Sequence, residues 1–406
     1  MKIMNKNKRI ILLEILLISM CFQNIEIINF GTFGLKLFHI IGVLFLPLLI
    51  KNIKKIKFPS KNFTFFLIFM IIVSTINVTK IGFHSLILNY IFSYYLLILL
   101  YTFANDIKRD EWEKIIQNVA SFALFCVYVN AFVHRNIIIR FLSNPFGHPV
   151  YKFIFGGGAN LEATWIGMFG FFFNNKNKGY LYILLCTFIS AMLASRVGII
   201  IDVIVFLFLT FSKNDKNKID SKKIIIGILV ILVTVLIAQQ TGVMEYLFSR
   251  LKSIGKDTGS TARLLMWQYV IKTFLNNPFG YGVGNSVKAI NTVSATYIGE
   301  GNIHNLYFQM LLDIGIIGVI WYIGTIAVFV KNEIKNILKN PVVMYLITYF
   351  VLGLVQFRGG DALMFYFVGI YVIEKNQLIN GGTYNEKNNK KAIIWFKYTV
   401  NSFLFM

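Results

Sequence analysis

The chain has 406 residues, of which 56% are hydrophobic, 16% aromatic and 14% charged. That apolar excess excludes a soluble globular domain and identifies a polytopic membrane protein. The formal net charge of +22 does not point to nucleic acid, because the Lys and Arg residues fall in short clusters between apolar runs rather than along one soluble face.

Taken in chain order, the apolar runs predict about twelve spans, near 10–23, 34–50, 62–78, 84–104, 116–133, 160–174, 180–195, 197–211, 224–240, 305–330, 341–357 and 362–374. With the N-terminus inside, the short loops that carry most of the 40 Lys and Arg residues share one side of the membrane. The two long segments, 134–159 and 241–304, then lie on the other side, which makes the expected topology N-in, C-in. Lys54, Lys55, Lys57, Lys222 and Lys223 are read as anchors of the inner face against anionic lipid. The first run follows MKIMNKNKR without a small-residue cleavage site, so it is expected to stay as a helix. Cys21, Cys126 and Cys186 all lie in apolar runs and suggest neither a disulfide nor a metal framework. The expected fold is therefore all-α, with one multi-span membrane domain over 1–373 and a cytoplasmic polar tail over 374–406. The outer loop near 241–304 is expected to be large and partly helical.

An ionisable group inside lipid costs several kcal/mol unless it is paired or wetted, so such groups mark the first candidates. They are Glu14, Glu162, Arg196, Asp202, Asp313, Arg358 and Asp361. Glu14 lies near Arg9 and is read as snorkelling inward. Arg196 follows Ser195 at the tight outer turn between two short runs, where its side chain is expected to project toward the protein centre. The outer segment 134–159 adds His134, Arg135, Arg140, His148 and Lys152, and two basic outer segments facing one another would form an electropositive pocket.

The segment from Ser260 to Gly318 departs most from ordinary lipid-facing sequence. Ser260 is a plausible N-cap for a helix with an apolar stripe of Leu264, Leu265, Trp267, Val270, Ile271, Phe274 and Leu275, opposite Arg263, Gln268 and Lys272. Asn277-Pro278 ends that helix. Gly280, Gly282 and Gly284 follow in NPFGYGVGN, where alternate glycines would let several backbone N–H groups face one way and cradle a phosphate. His304 then enters the next run, and Asn305, Gln309 and Asp313 continue at helical spacing, so a polar stripe descends about 12 Å along one face. A helix-entry cap would account for His304 and Asn305 but not for Asp313.

The order SR at a span end, R…W…NPFGYGVG in a large outer loop and HNLYFQMLLDIGIIG entering the next span resembles the O-antigen polymerase and O-antigen ligase superfamily of bacterial envelope glycosyltransferases. The resemblance covers about 195–330, and the first half agrees mainly in layout. It implies metal-independent, inverting glycosyl transfer at the outer face of the cytoplasmic membrane, with no cofactor. The donor would be an undecaprenyl-pyrophosphate-linked oligosaccharide, and the acceptor either another lipid-linked unit or a lipid A core. Arg196 and Arg263 would clamp the pyrophosphate leaving group, as bidentate donors suit. His304 would act as base or orient the acceptor, since its ordinary pKa lies near working pH. Asn305 and Gln309 would orient sugar hydroxyls, with Asp313, Arg135, Arg140, Lys272, Gly282 and Gly284 as further substrate-binding candidates. The lipid bilayer is an obligate partner, and a chain-length regulator and a flippase of the same pathway are expected alongside.

A polymerase of O antigen, capsule or exopolysaccharide repeats is the expected activity, being the broader use of this architecture, with O-antigen ligase-type transfer as the alternative. From other classes, the GYG triplet resembles a potassium filter, but NNPF precedes it and a polar loop follows, where a filter needs a short re-entrant segment. A transporter or polysaccharide flippase would draw on Asp202 and Asp313 as intramembrane charges, and the folded outer loop argues the other way.

Overall fold

The computed structural model describes residues 5–29, 34–52, 56, 61–142, 149–173, 177–212, 225, 245, 248–249, 252, 258–356 and 361–380. All of the expected ninth span at 224–240 except residue 225, together with Arg358, His148 and the tail beyond Asn380, lies outside the described residues.

Helix α1 (Lys6–Cys21) is capped by the Asn5 side chain. A two-stranded antiparallel hairpin, β1 (Glu26–Asn29) and β2 (Gly34–Lys36), comes next and corrects the all-α expectation, since residues assigned to the second span begin as strand. Helices α2 (Leu37–Leu44) and α3 (Leu46–Lys51) divide that span at Phe45, with Pro47 tolerated in the first turn of α3. Then come α4 (Lys61–Ile81), α5 (Leu86–Phe103), α6 (Arg109–Val133) and the short α7 (Arg135–Leu142). Helix α6 starts well before the apolar run because Glu111 accepts from the Lys108 N–H at 2.8 Å and acidic residues occupy its first turn.

The second half contains α8 (Ala159–Met168), which runs on as a 3₁₀ turn to Phe172, then α9 (Asn177–Met192) and α10 (Arg196–Phe211). After these come α11 (Thr258–Asn276), α12 (Ser286–Asn291), α13 (Leu306–Glu333), α14 (Pro341–Leu352) and α15 (Ala362–Asn380). Among the described residues, four helical stretches are long and apolar enough to cross a membrane: Phe63–Ile81, Leu86–Phe103, Arg109–Val133 and Leu306–Asn336. Other apolar helices, such as α9 and α14, are shorter than this, and all but two residues of α8 are buried. The chain is a multi-pass membrane protein.

The core is aromatic. Tyr345 of α14 and Phe367 of α15 bring their rings to 3.8 Å between centroids, and Phe172, Trp165 and Tyr349 close around them. On the N-terminal side, Arg9 forms a two-pronged ion pair with Asp106, both contacts at 2.6 Å, tying α1 to the α5–α6 connection. Glu14, read as snorkelling inward, accepts from the Asn118 amide at 3.0 Å. Glu162 receives the Ile154 and Phe155 N–H groups, and Asp202 receives the Ser190 hydroxyl, so both carboxylates anchor neighbouring chain. The polar tail expected from 374 begins inside α15, where Gln377 donates to the Asn105 and Ile107 carbonyls.

Candidate functional site

Helix α11 begins at Thr258, so Ser260 lies within its first turn instead of capping it. Its apolar residues divide between two faces. Met266 and Val270 are fully buried, and with Val287, Ile290, Ile298, Ile303 and Leu312 they form a small core of their own. Leu264, Ile271 and Leu275, expected on the same stripe, are exposed. Residues 258–304 thus form a folded unit that packs on the mouth of α13.

The glycine turn fastens this unit. Helix α13 breaks at Gly315, where φ is 69° and ψ −172°, leaving the carbonyls of Leu312 and Asp313 without their usual helical donors. Tyr281 N–H fills the first at 2.7 Å and Gly282 N–H the second at 2.9 Å, while Ile316 N–H donates back to the Pro278 carbonyl at 3.0 Å. Only glycine permits so close an approach: a Cβ on Gly280, itself at φ +92°, would stand 2.6 Å from the Gly315 nitrogen. Val283 N–H goes to the Ser74 hydroxyl and Gly284 N–H to the Asp313 carboxylate, both at 3.0 Å. This corrects the phosphate-cradle expectation for Gly282 and Gly284, because the N–H groups of the turn are consumed inside the protein. The Gly280 carbonyl accepts from Asn77 and Asn277, so it does not line a filter.

The polar stripe of α13 serves the same fastening. Asp313, 1% exposed, also accepts from Ser286 and Gln309. Gln309 donates to Ser286 at 2.8 Å and accepts from the Ile303 N–H at 3.1 Å. Asn305 caps α13 by accepting from Phe308 N–H and donates to the Leu354 carbonyl, both at 2.9 Å. The groups proposed to hold sugar hydroxyls therefore have protein partners, because a buried amide or carboxylate is stable only when so satisfied.

His304 stands apart from this set. It sits before the helix with a left-handed backbone, φ +57°, and its N–H donates to the Asn302 side chain at 2.9 Å. Its Nε2 meets the Glu300 carboxylate at 3.3 Å, and both side chains remain partly accessible, 28% and 40% exposed. Burial and the positive charge of Arg263 hold the imidazole below its ordinary pKa, while Glu300 acts in the opposite sense. The indole of Trp267 donates to the Ile303 carbonyl at 3.0 Å and packs edge-on against Phe308. Since Arg263 lies one turn before Trp267 on α11, that bond brings the guanidinium to the imidazole's side.

His304, Arg263 and Glu300 thus gather at the entrance of α13. Arg196 opens α10, with Ser195 as its cap through Gly198 N–H at 3.0 Å, and α10 packs against α8 and α9. Arg135 lies over the Phe132 ring at 4.9 Å, and both it and Arg140 sit on α7, which packs on α6. Lys272 is exposed on α11. Two neighbours were not singled out in the sequence. Glu300 had a visible signal, a carboxylate four residues before the key histidine; His84, which packs on Gly284 from the α4–α5 connection, had none.

Residues 181–323 match the O-antigen ligase family. A protein of Rickettsia conorii with the provisional name polysaccharide ligase is 26% identical over 244 residues, covering 54% of this chain and 58% of its own. Its counterpart in Rickettsia typhi is 26% identical over 275 residues, covering 60% and 66%. The chain thus spans less than two thirds of the length of these relatives. The matched stretch contains Arg196, Arg263, Glu300, His304 and the folded unit over 258–304, so residues 181–323 are similar to an O-antigen ligase domain, in line with the superfamily that the sequence resembles.

Proposed function

We propose that the protein is a membrane polysaccharide ligase, which transfers a preassembled glycan from a polyprenyl-pyrophosphate carrier to an acceptor sugar at the outer face of the cytoplasmic membrane. The observation that carries this reading is the assembly of His304, Glu300 and Arg263 on a folded unit at the mouth of α13. Beside it, an apolar groove between α4, α5, α13, α14 and α15 is lined by Phe66, Met70, Tyr94, Leu306, Met310 and Met364, and suits a lipid tail. His304 takes the proton of the acceptor hydroxyl as the new C–O bond forms. The anomeric carbon–phosphate oxygen bond breaks, and its electron pair leaves on the pyrophosphate, which Arg263 neutralises with Arg196 as the second cation. Ligase rather than polymerase is favoured because the matching family and the relatives carry that description.

The test is a deletion strain complemented with wild type, His304→Ala or Arg263→Lys, with surface and lipid-linked glycans resolved on gels. A ligase predicts long lipid-linked polymer that never reaches its acceptor in the deletion and in both variants. Single repeat units alone on lipid or acceptor would establish the polymerase instead, and a normal profile in the deletion would overturn both.

A further inference from the structure

We propose that Glu300 is the positioning residue for His304, holding the Nε2 edge of the imidazole so that Nδ1 is the edge that receives the acceptor's proton. The inference rests on the transfer reaction proposed above and adds a residue to it. The 3.3 Å contact between Nε2 and the carboxylate is not a by-product of helical spacing, because residues 299–305 form no helix. It is made by a chain reversal that puts His304 into a left-handed backbone, a conformation that persists in a non-glycine residue only when its surroundings over-determine it. They do so here. Asn302 holds the His304 N–H, Gln309 holds the Ile303 N–H, Trp267 holds the Ile303 carbonyl, and Asn305 begins α13 in the next position. Four side chains from three segments thus fix one backbone corner, and the result is an imidazole whose Nε2 faces a carboxylate. Among the described residues, Nδ1 takes part in no hydrogen bond of the protein.

The charged groups acting on the ring are Glu300 from the loop and Arg263 from α11. Burial and, after it, this cation favour the neutral imidazole, which can accept a proton. The carboxylate selects the tautomer with hydrogen on Nε2 and stabilises the imidazolium once Nδ1 is protonated.

Full-length protein in nanodiscs, assayed with a polyprenyl-pyrophosphate oligosaccharide and an acceptor glycolipid, gives one readout. Glu300→Gln is expected to lower kcat by about 10- to 100-fold with KM little changed, a part of what general base catalysis contributes. It also moves the acidic limb of the pH–rate profile to lower pH, since removing the carboxylate lowers the imidazole pKa further, and Glu300→Asp restores part of the rate. The second readout is independent of turnover: nitrogen-15 NMR of labelled histidine, assigned by difference with His304→Ala, shows the Nε2–H tautomer in wild type and its loss in Glu300→Ala. Wild-type kcat and an unmoved acidic limb in Glu300→Gln and Glu300→Ala, with His304→Ala inactive, overturn the role of Glu300 and leave the transfer reaction standing. An unchanged tautomer in Glu300→Ala overturns it as well. Full activity of His304→Ala overturns the reaction's base, and this role with it.

Discussion

Asp313 shows how one residue changes meaning between sequence and structure. At helical spacing from Asn305 it reads as part of a substrate-facing stripe, yet its carboxylate is turned to Gly284, Ser286 and Gln309. Asp313→Ala would strand those buried donors. The expected cost is roughly 3 kcal/mol, measured as a lower unfolding temperature of the purified protein, while Asp313→Asn, which keeps an acceptor, loses less. Arg263 makes an opposite kind of contribution, because burial and, after it, the Arg263 charge hold His304 below the ordinary histidine range. Arg263→Gln should therefore raise the pH at which His304 protonates, followed by NMR titration, and a downward shift would show that the two do not interact as described. His84 is likewise held down by burial and by Lys288. The unfolded chain takes up that proton first, so this contribution is complete above the ordinary histidine value of 6.5 and is lost as pH falls through it. Melting between pH 7.5 and 5.5 should show a decline that His84→Gln lessens.

For the elements, the exchange between the glycine turn and the broken α13 is the decisive join. Its parts were legible: NPFGYGVGN announces a turn, and the apolar run from Leu306 announces a helix. Their pairing was not, because Gly315 looks like any small residue in a span until the Pro278–Gly282 stretch is seen donating into and accepting from the break. Gly280→Ala places a Cβ against the Gly315 nitrogen and the Asp313 carbonyl, and is expected to abolish accumulation of folded protein on gel filtration. Trp267→Phe is the milder probe. It keeps an aromatic ring near Phe308 but loses the indole donor to Ile303, costing about 1 kcal/mol of stability. Transfer should fall more than stability does, since the lost bond is the one that sets Arg263 beside His304.

Across the whole molecule, the same reasoning predicts which side each end of α13 faces. Tyr297 in the outer unit is 87% exposed, whereas Cys21 and Cys186 are buried, so a single engineered cysteine has little background once Cys126 is replaced. In the Cys126→Ser protein, Tyr297→Cys should react with a membrane-impermeant maleimide in intact cells, and Lys335→Cys only after the membrane is opened. The reverse pattern would turn the topology over and place the histidine site on the cytoplasmic side. Composition and charge clustering carry this expectation without any knowledge of packing, because lipid enforces apolar runs and the membrane sorts Lys and Arg by side.

The sequence by itself determined that the chain is a multi-pass, mostly helical membrane protein, and it singled out the segment after residue 240, with Arg263 and His304, as the candidate site. Those features are written locally, in hydropathy, in glycine and proline punctuation and in residue type. Tertiary structure alone decided that the hairpin at 26–36 interrupts the helices, that the turn's N–H groups serve α13 instead of a phosphate, and that Glu300 partners His304. Each of these depends on which unsatisfied backbone or side-chain group lies nearest in space, and spacing along a chain does not record that.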